Sequence, residues 1–248
     1  MHMIMLENKH VLVTGGANGI GMAIVLQALK HGAKVSFLDK DLRAIESLQQ
    51  KSKATGFHCD VGDKRQIEEV IERVGLPIDV LINNAGIDLD FDLSSPDNAL
   101  WNNVINTNLS GARYVTESVV PKMIQSEIKG SVIFITSVHT GLAFPGGAAY
   151  DASKHALVGL MRVLALEYGK YGIRFNAVAP GSIYPAGPTG KLSKEQAVEL
   201  GKRIPLYRLG TPKDVANVVV FLASNMAEYI NGAEIRVDGG LAIKSCLF

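Results

Sequence analysis

Cysteine is scarce. Cys59 and Cys246 are the only two in 248 residues, too few for the disulfide framework of a small secreted domain and suited to a reducing compartment. Net charge is nearly absent as well, with 25 lysines and arginines against 24 aspartates and glutamates. No basic block or arginine-rich helix occurs, which argues against nucleic acid or an anionic membrane as a partner. The longest apolar run, residues 218–223, is far too short to span a bilayer. Residues 1–6 are apolar but shorter than a signal h-region and lack a small-residue cleavage site. The tail Cys246-Leu247-Phe248 is one residue short of a prenylation box. Asn108-Leu109-Ser110 matches a glycosylation sequon by chance, since no secretory signal accompanies it. These absences lead to the expectation of a cytoplasmic protein.

What is present is ordinary globular material, 47% hydrophobic and 20% charged, which excludes a disordered or collagen-like chain. A chain of this length buries roughly 70% of its unfolded surface and needs neither disulfide nor metal to hold a core. Strands are expected at 10–14, 34–39, 56–60, 80–83, 131–136, 174–178 and 234–237. Most are continuous runs of Val, Ile, Leu and Phe, as strands covered on both faces require. Helical segments lie between them, near 19–31, 41–51, 63–74, 97–124, 150–170 and 212–224. This alternation predicts an α/β fold, a doubly wound parallel sheet of about seven strands of the Rossmann type. No linker divides the chain, so residues 1–248 are read as one domain. The irregular stretch 180–190 holds Pro180-Gly181, Pro185, Gly187-Pro188 and Gly190. After it, Ser193 with Gln196 three positions on marks the start of a short helix. Residues 184–203 are thus placed to act as a lid at the carboxyl edge of the sheet.

The first strand runs into Thr14-Gly15-Gly16-Ala17-Asn18-Gly19-Ile20-Gly21. Glycines there let backbone N–H groups and the helix dipole approach a pyrophosphate, or merely make a tight turn. Asp39 ends the second strand, 18 residues after Gly21. Its carboxylate can accept from both ribose hydroxyls of an adenosine and would repel a 2′-phosphate by up to about 4 kcal/mol at 4 Å. That favours NAD over NADP, although Lys40 next door offsets part of the repulsion. The other reading of Asp39 is a helix cap. Asp60, ending the third strand, divides the same way between an adenine contact and capping, with Asp63 as the alternative cap.

Tyr150 and Lys154 are four apart at the start of a helix and share one face. A phenol near 10 must fall by about 2–3 units to serve as acid and base near neutrality. One ammonium at about 4–5 Å in a partly desolvated site supplies that much. Ser137 closes the fifth strand 13 residues earlier, where its hydroxyl can reach a substrate carbonyl. Asn83-Asn84-Ala85-Gly86 closes the fourth strand, and Asn108 sits within a helix, where a buried amide needs a partner such as water.

With those residues assembled, the sequence resembles the short-chain dehydrogenase/reductase family over nearly its whole length. The carriers are the Thr14–Gly21 glycine pattern, Asp60-Val61, Asn83-Asn84-Ala85-Gly86, Asn108, Ser137, Tyr150 with Lys154, Pro180-Gly181 and Val237-Asp238-Gly239-Gly240. The resemblance implies an oxidoreductase that interconverts a secondary alcohol and a ketone. Tyr150 would be its acid/base, Lys154 would hold the nicotinamide ribose and lower the phenol, Ser137 would polarise the substrate oxygen, and Asn108 would hold a relay water. Asn83 would brace the sheet beside the cofactor. Gly15, Asn18, Gly19, Ile20, Gly21, Ala85, Gly86, Pro180, Gly181 and Ile183 would also border it. A homotetramer is implied. One departure stands out: the family commonly has Thr where Pro185 stands, and proline offers neither side-chain donor nor N–H. Thr189 is the candidate replacement.

Candidate substrate contacts, besides Ser137 and Tyr150, are Asp88, Asp90, Phe91, His139, Phe144 and Tyr184. Relatives of this size often reduce 3-oxoacyl chains on an acyl carrier protein, which needs basic docking residues. Ile128 and Tyr171 stand where such arginines are expected, and Asp88, Asp90 and Asp92 disfavour an anionic partner. A small polar alcohol, a sugar or polyol, is therefore the first expectation. A 3-oxoacyl or hydroxysteroid substrate, or a non-catalytic NAD sensor, are the alternatives. No metal site is expected.

Overall fold

The computed structural model describes residues 4–75, 77–185 and 192–243. Seven strands form one parallel sheet in the order β3-β2-β1-β4-β5-β6-β7. They are β1 (His10–Thr14), β2 (Lys34–Asp39), β3 (Thr55–His58), β4 (Val80–Asn83), β5 (Ser131–Ile135), β6 (Arg174–Pro180) and β7 (Glu234–Val237). The helices are α1 (Gly19–Lys30), α2 (Leu42–Lys51), α3 (Lys64–Val74), α4 (Asn98–Ile105), α5 (Gly111–Gln125), α6 (Ala148–Tyr168), α7 (Lys194–Gly201) and α8 (Pro212–Ala223).

Side chains alternate across a strand, so the continuous apolar runs feed two cores. Val11 and Val13 of β1, with Ile133 and Ile135 of β5, meet α1, α2 and α8 on one face. Leu12, Val132 and Phe134 meet α3, α5 and α6 on the other. The chain winds from β1 outward through β2 to β3, then returns to add β4 on the opposite side of β1. That reversal opens a crevice at the carboxyl ends of β1 and β4, where a ligand has room between the departing loops.

Local caps set the helix starts. Asp41 accepts from Ala44 N–H, Asp63 from the N–H groups of Arg65 and Gln66, and Asp97 from those of Ala99 and Leu100. Ser193 and Thr211 each complete a capping box, as the Ser193/Gln196 spacing predicts. Three expected boundaries differ in ways that bear on the site. β3 spans Thr55–His58 rather than 56–60, so Asp60 follows the strand instead of ending it. β6 runs on to Pro180, because it pairs with β7 as far as Val237. The helix expected over 97–124 is broken into α4 and α5 by a π-turn at Asn106–Ser110, a feature often found at functional sites. Within the 184–203 segment, α7 packs Ala197 with Ile204, Leu209 and part of Tyr184 into a small separate core; Thr189 lies outside the described residues.

Candidate active site

A cleft of about 730 Å³ occupies the crevice. Gly15, Asn18, Gly19, Ile20 and Gly21 form its floor at one end. Gly15 holds φ +61°, and a Cβ there would lie 2.9 Å from Ala85 Cα, so only glycine closes the turn against the fourth strand. A Cβ on Gly21 would fall 2.0 Å from the Gly15 carbonyl oxygen. The loop thus folds tightly onto the start of α1. Asn18 occupies the N-cap position of α1 but makes no side-chain cap, and the first turn carries no acidic residue. The free N–H groups and dipole of that turn suit a pyrophosphate.

Asp39 does not cap α2, because Asp41 does. Its Oδ2 accepts from Ala17 N–H at 2.9 Å and its Oδ1 from Asp41 N–H at 3.1 Å. A carboxylate has about four lone-pair sites, so both oxygens keep capacity for ribose hydroxyls. Lys40, Cys59, Asp60 and Val61 continue this wall. Asp63 caps α3, while Asp60 accepts from Gly62 N–H at 2.8 Å. A dinucleotide therefore fits the residues present.

Asn84, which sequence reasoning had not singled out from its motif, ties the end together. Its Nδ2 donates to the carbonyls of Thr14 and Gly15 at 2.9 and 3.0 Å. Asn83 lies behind the cleft, buried, with Nδ2 donating to Thr116 Oγ1 on α5 at 2.9 Å. It braces sheet to helix. Ala85 and Gly86 line the cleft.

At the other end Ser137, Tyr150 and Lys154 converge. The Tyr150 hydroxyl is hydrogen-bonded to Ser137, and Lys154 Nζ lies 5.4 Å from the Tyr150 ring centroid. Lys154 Nζ donates to Ile135 O at 2.8 Å. Burial pushes the Lys154 ammonium down to about 8, against the opposing charge of Asp88. Burial likewise pushes the Tyr150 phenol up to about 12; the Ser137 hydrogen bond opposes this, and the charges of Asp88 and Asp151 add to it. The fall expected from the amine is thus not present in the protein alone. The desolvation of the phenolate outweighs an ammonium that leans on a backbone carbonyl.

Asn108, completely buried, sits in the π-turn. Its Oδ1 accepts from Ile87 N–H at 2.8 Å, and its Nδ2 donates to Ile87 O at 2.9 Å and Ser153 Oγ at 3.0 Å. Ser153 Oγ in turn donates to Tyr150 O at 2.6 Å. Both amide hydrogens are taken, and one lone pair of Oδ1 is left for a water.

His139 and Phe144 line the cleft with Asp88. Asp151, adjacent to Tyr150, is an addition: it pairs with His139 Nδ1. Phe91 packs into a separate small core against Trp101, and Tyr184 turns towards Ala197 and Ile204; neither lines the cleft. Pro180, Gly181, Ile183 and Pro185 do.

The model of the family described as enoyl-(acyl carrier protein) reductase matches residues 15–242. A 3-oxoacyl-[acyl-carrier-protein] reductase of Thermotoga maritima is 40% identical over 246 residues, covering 96% of this chain and 99% of that one. An uncharacterized oxidoreductase of Schizosaccharomyces pombe is 35% identical, covering 95% and 91%. Among solved structures, ligand-free aldohexose dehydrogenase of Thermoplasma acidophilum superposes with a TM-score of 0.88 at 33% identity, covering 97% of this chain and 96% of its own. By these likenesses and its fold, the chain belongs to the short-chain dehydrogenase/reductase family of oxidoreductases acting on CH–OH groups.

Proposed function

We propose that the protein interconverts a secondary alcohol and a ketone with NAD, on a small polar substrate such as a sugar or polyol. The observation that carries the chemistry is the Tyr150–Ser137 hydrogen bond with the Lys154 ammonium buried behind it. In oxidation, Tyr150 Oη takes the substrate hydroxyl proton; in reduction it returns that proton to the carbonyl oxygen. Ser137 Oγ holds the same oxygen. Lys154 Nζ stabilises the phenolate and offers hydrogens to the ribose. Asn108 keeps Ile87 and the first turn of α6 in register and leaves one acceptor for a relay water. When bound, the nicotinamide dinucleotide supplies or accepts the hydride, and its oxidised ring adds the positive charge that favours the phenolate.

Asp39 supports NAD over NADP, since its carboxylate stands where a 2′-phosphate would meet repulsion. Asp88 in the cleft wall supports a neutral hydroxylated substrate over an anionic one. The 40% identity to a 3-oxoacyl-[acyl-carrier-protein] reductase favours the second reading, reduction of a 3-oxoacyl thioester. Exposed Val163 and Leu166 on α6, and Tyr229 beyond α8, support a homotetramer. The test is absorbance of reduced cofactor with sugars, polyols, steroids and acetoacetyl thioesters, for wild type and Tyr150→Phe. Turnover of an acetoacetyl thioester alone would transfer the assignment to the second reading. Tight NAD binding without any turnover would leave a sensor.

A further inference from the structure

One substrate oxygen at Tyr150 and Ser137 leaves the polar groups beside them without a task. Asp151 and His139 form a buried-edge pair, with side chains only 16% and 18% exposed. The imidazole is held on three sides. Asp151 takes Nδ1, Phe144 stacks on the ring with centroids 4.2 Å apart, and Tyr150 meets it edge-on at 5.1 Å. Asp151 is itself fixed by the turn into α6, its N–H donating to Gly147 O at 2.7 Å. What remains is Nε2, which has no hydrogen-bond partner among the described residues, on a ring that lines the cleft.

Asp151 and Asp88 both oppose ionisation of the phenol they face, and Asp88 acts the other way only through the Lys154 ammonium, which its charge sustains. The pairing of Asp151 with His139 thus points to a purpose outside the acid/base step. His139 follows Ser137 by two residues in one tight turn, Val138–Thr140, with His139 N–H donating to Ser137 Oγ at 3.3 Å. An oxygen held at Ser137 and one held at His139 are therefore neighbours on the substrate. Asp88 lines the same wall and takes no hydrogen bond from any described residue, which leaves it free to accept from a hydroxyl.

We propose that His139, held by Asp151, reads together with Asp88 a second hydroxyl on the carbon adjacent to the reacting one, so that the substrate is a vicinal diol or the corresponding α-hydroxyketone. The inference rests on the Tyr150-centred reaction proposed above. His139 Nε2 and the Asp88 carboxylate are the specificity groups, and Asp151 is a positioning residue. A site built to hydrogen-bond a hydroxyl rejects the analogue that lacks it, because its polar groups are then left without partners.

The experiment compares kcat/KM for cis-1,2-cyclohexanediol with cyclohexanol, and for 2,3-butanediol with 2-butanol, in wild type, His139→Leu, Asp151→Asn, Asp88→Asn and Tyr150→Phe. Wild type is expected to favour each diol by about ten- to hundredfold, and the first three variants to bring the ratio towards one. Asp151→Asn and Asp88→Asn should also move the alkaline rise in kcat to lower pH. Each removes a charge that faces Tyr150, alongside His139, Lys154 and the Ser137 hydroxyl; a purely structural role would leave that profile in place. Equal kcat/KM for diol and mono-alcohol, with turnover lost in Tyr150→Phe, would overturn this inference and leave the reaction standing. Preference for 2-aminocyclohexanol over the diol would overturn it in favour of a cation. No turnover with any of these alcohols would overturn this inference, and turnover that survives Tyr150→Phe would overturn the reaction as well.

Discussion

The two ends of the cleft are built on opposite terms. At the glycine-loop end the protein satisfies itself: Asp39 and Asp60 hold backbone N–H groups, and Asn84 holds two carbonyls of the loop. Backbone approaches backbone there, with no room for a Cβ. At the Tyr150 end, charges face one another. A buried ammonium, a half-buried tyrosine, a histidine and two carboxylates share one wall, and desolvation opposes ionisation of both the phenol and the ammonium. The first end has a shape that is stable without a ligand. The second stores unfavourable electrostatics that a ligand or a proton relieves, a common property of reaction centres. On the proposed reading, geometry recognises the cofactor, whereas charge selects and converts the substrate.

The strongest way to break that division is Tyr150→Phe, which removes one oxygen and leaves the packing. A fall in kcat of about a thousandfold is expected for loss of a general acid/base, with the thermal midpoint kept. A fall below tenfold would mean that the charged end does not carry the chemistry. Next comes Gly21→Ala, which tests the rigid end by placing a methyl 2.0 Å from the Gly15 carbonyl oxygen. Overpacking of that kind costs about 1–3 kcal/mol, read as a lower urea midpoint together with weaker NAD binding. If NAD affinity and midpoint both hold, the loop is not the close-packed cradle described. A smaller effect is expected from Asp39→Ser. The preference for NAD over NADP should fall by about tenfold, less than the bare charge term allows, because solvent reaches the site. An unchanged ratio would shift discrimination to Lys40.

The glycine-loop end was legible because its chemistry is local in sequence. Glycine spacing, the Asp39 position and the seven apolar runs each follow from backbone sterics and two-sided burial, and the observed strands begin or end within two residues of expectation. The charged end was legible only as a set of residue types. Tyr150, Lys154 and Ser137 were found by spacing, but the His139–Asp151 pair depends on a tight turn meeting the start of α6, which no periodicity reveals. The same holds for Asn108, whose place in the core comes from a π-turn inside a helical pattern. The direction of the Tyr150 shift was missed for a related reason: an ammonium four residues away is visible in sequence, while the depth of burial is not.

A last contrast sets the two edges of the sheet against each other, through their response to acid. At the amino edge, His10 is buried, its Nδ1 at 3.0 Å from Pro77 O and its Nε2 at 2.9 Å from Ser36 Oγ. Nδ1 therefore donates and Nε2 accepts from the hydroxyl, which is a neutral ring. Burial holds its pKa below the ordinary value of 6.5, and the Lys34 charge lowers it further, while the Pro77 carbonyl and Asp79 oppose. The folded state then binds fewer protons than the unfolded one, so this contribution is complete above pH 6.5 and lost as pH falls below it. At the carboxyl edge the sign reverses. Desolvation, with Asp90 and Asp151 nearby, raises the Asp88 carboxyl, whereas His139 and Lys154 lower it, so acid relieves a strain there. Urea midpoints measured from pH 8 to pH 5 should accordingly fall less in His10→Asn, which keeps a donor for Pro77 and does not titrate. In Asp88→Asn they should fall more steeply than in wild type, because the relief is gone. The difference will be the smallest of those described, since each variant removes one titrating group; parallel curves for all three proteins would place the acid response outside both.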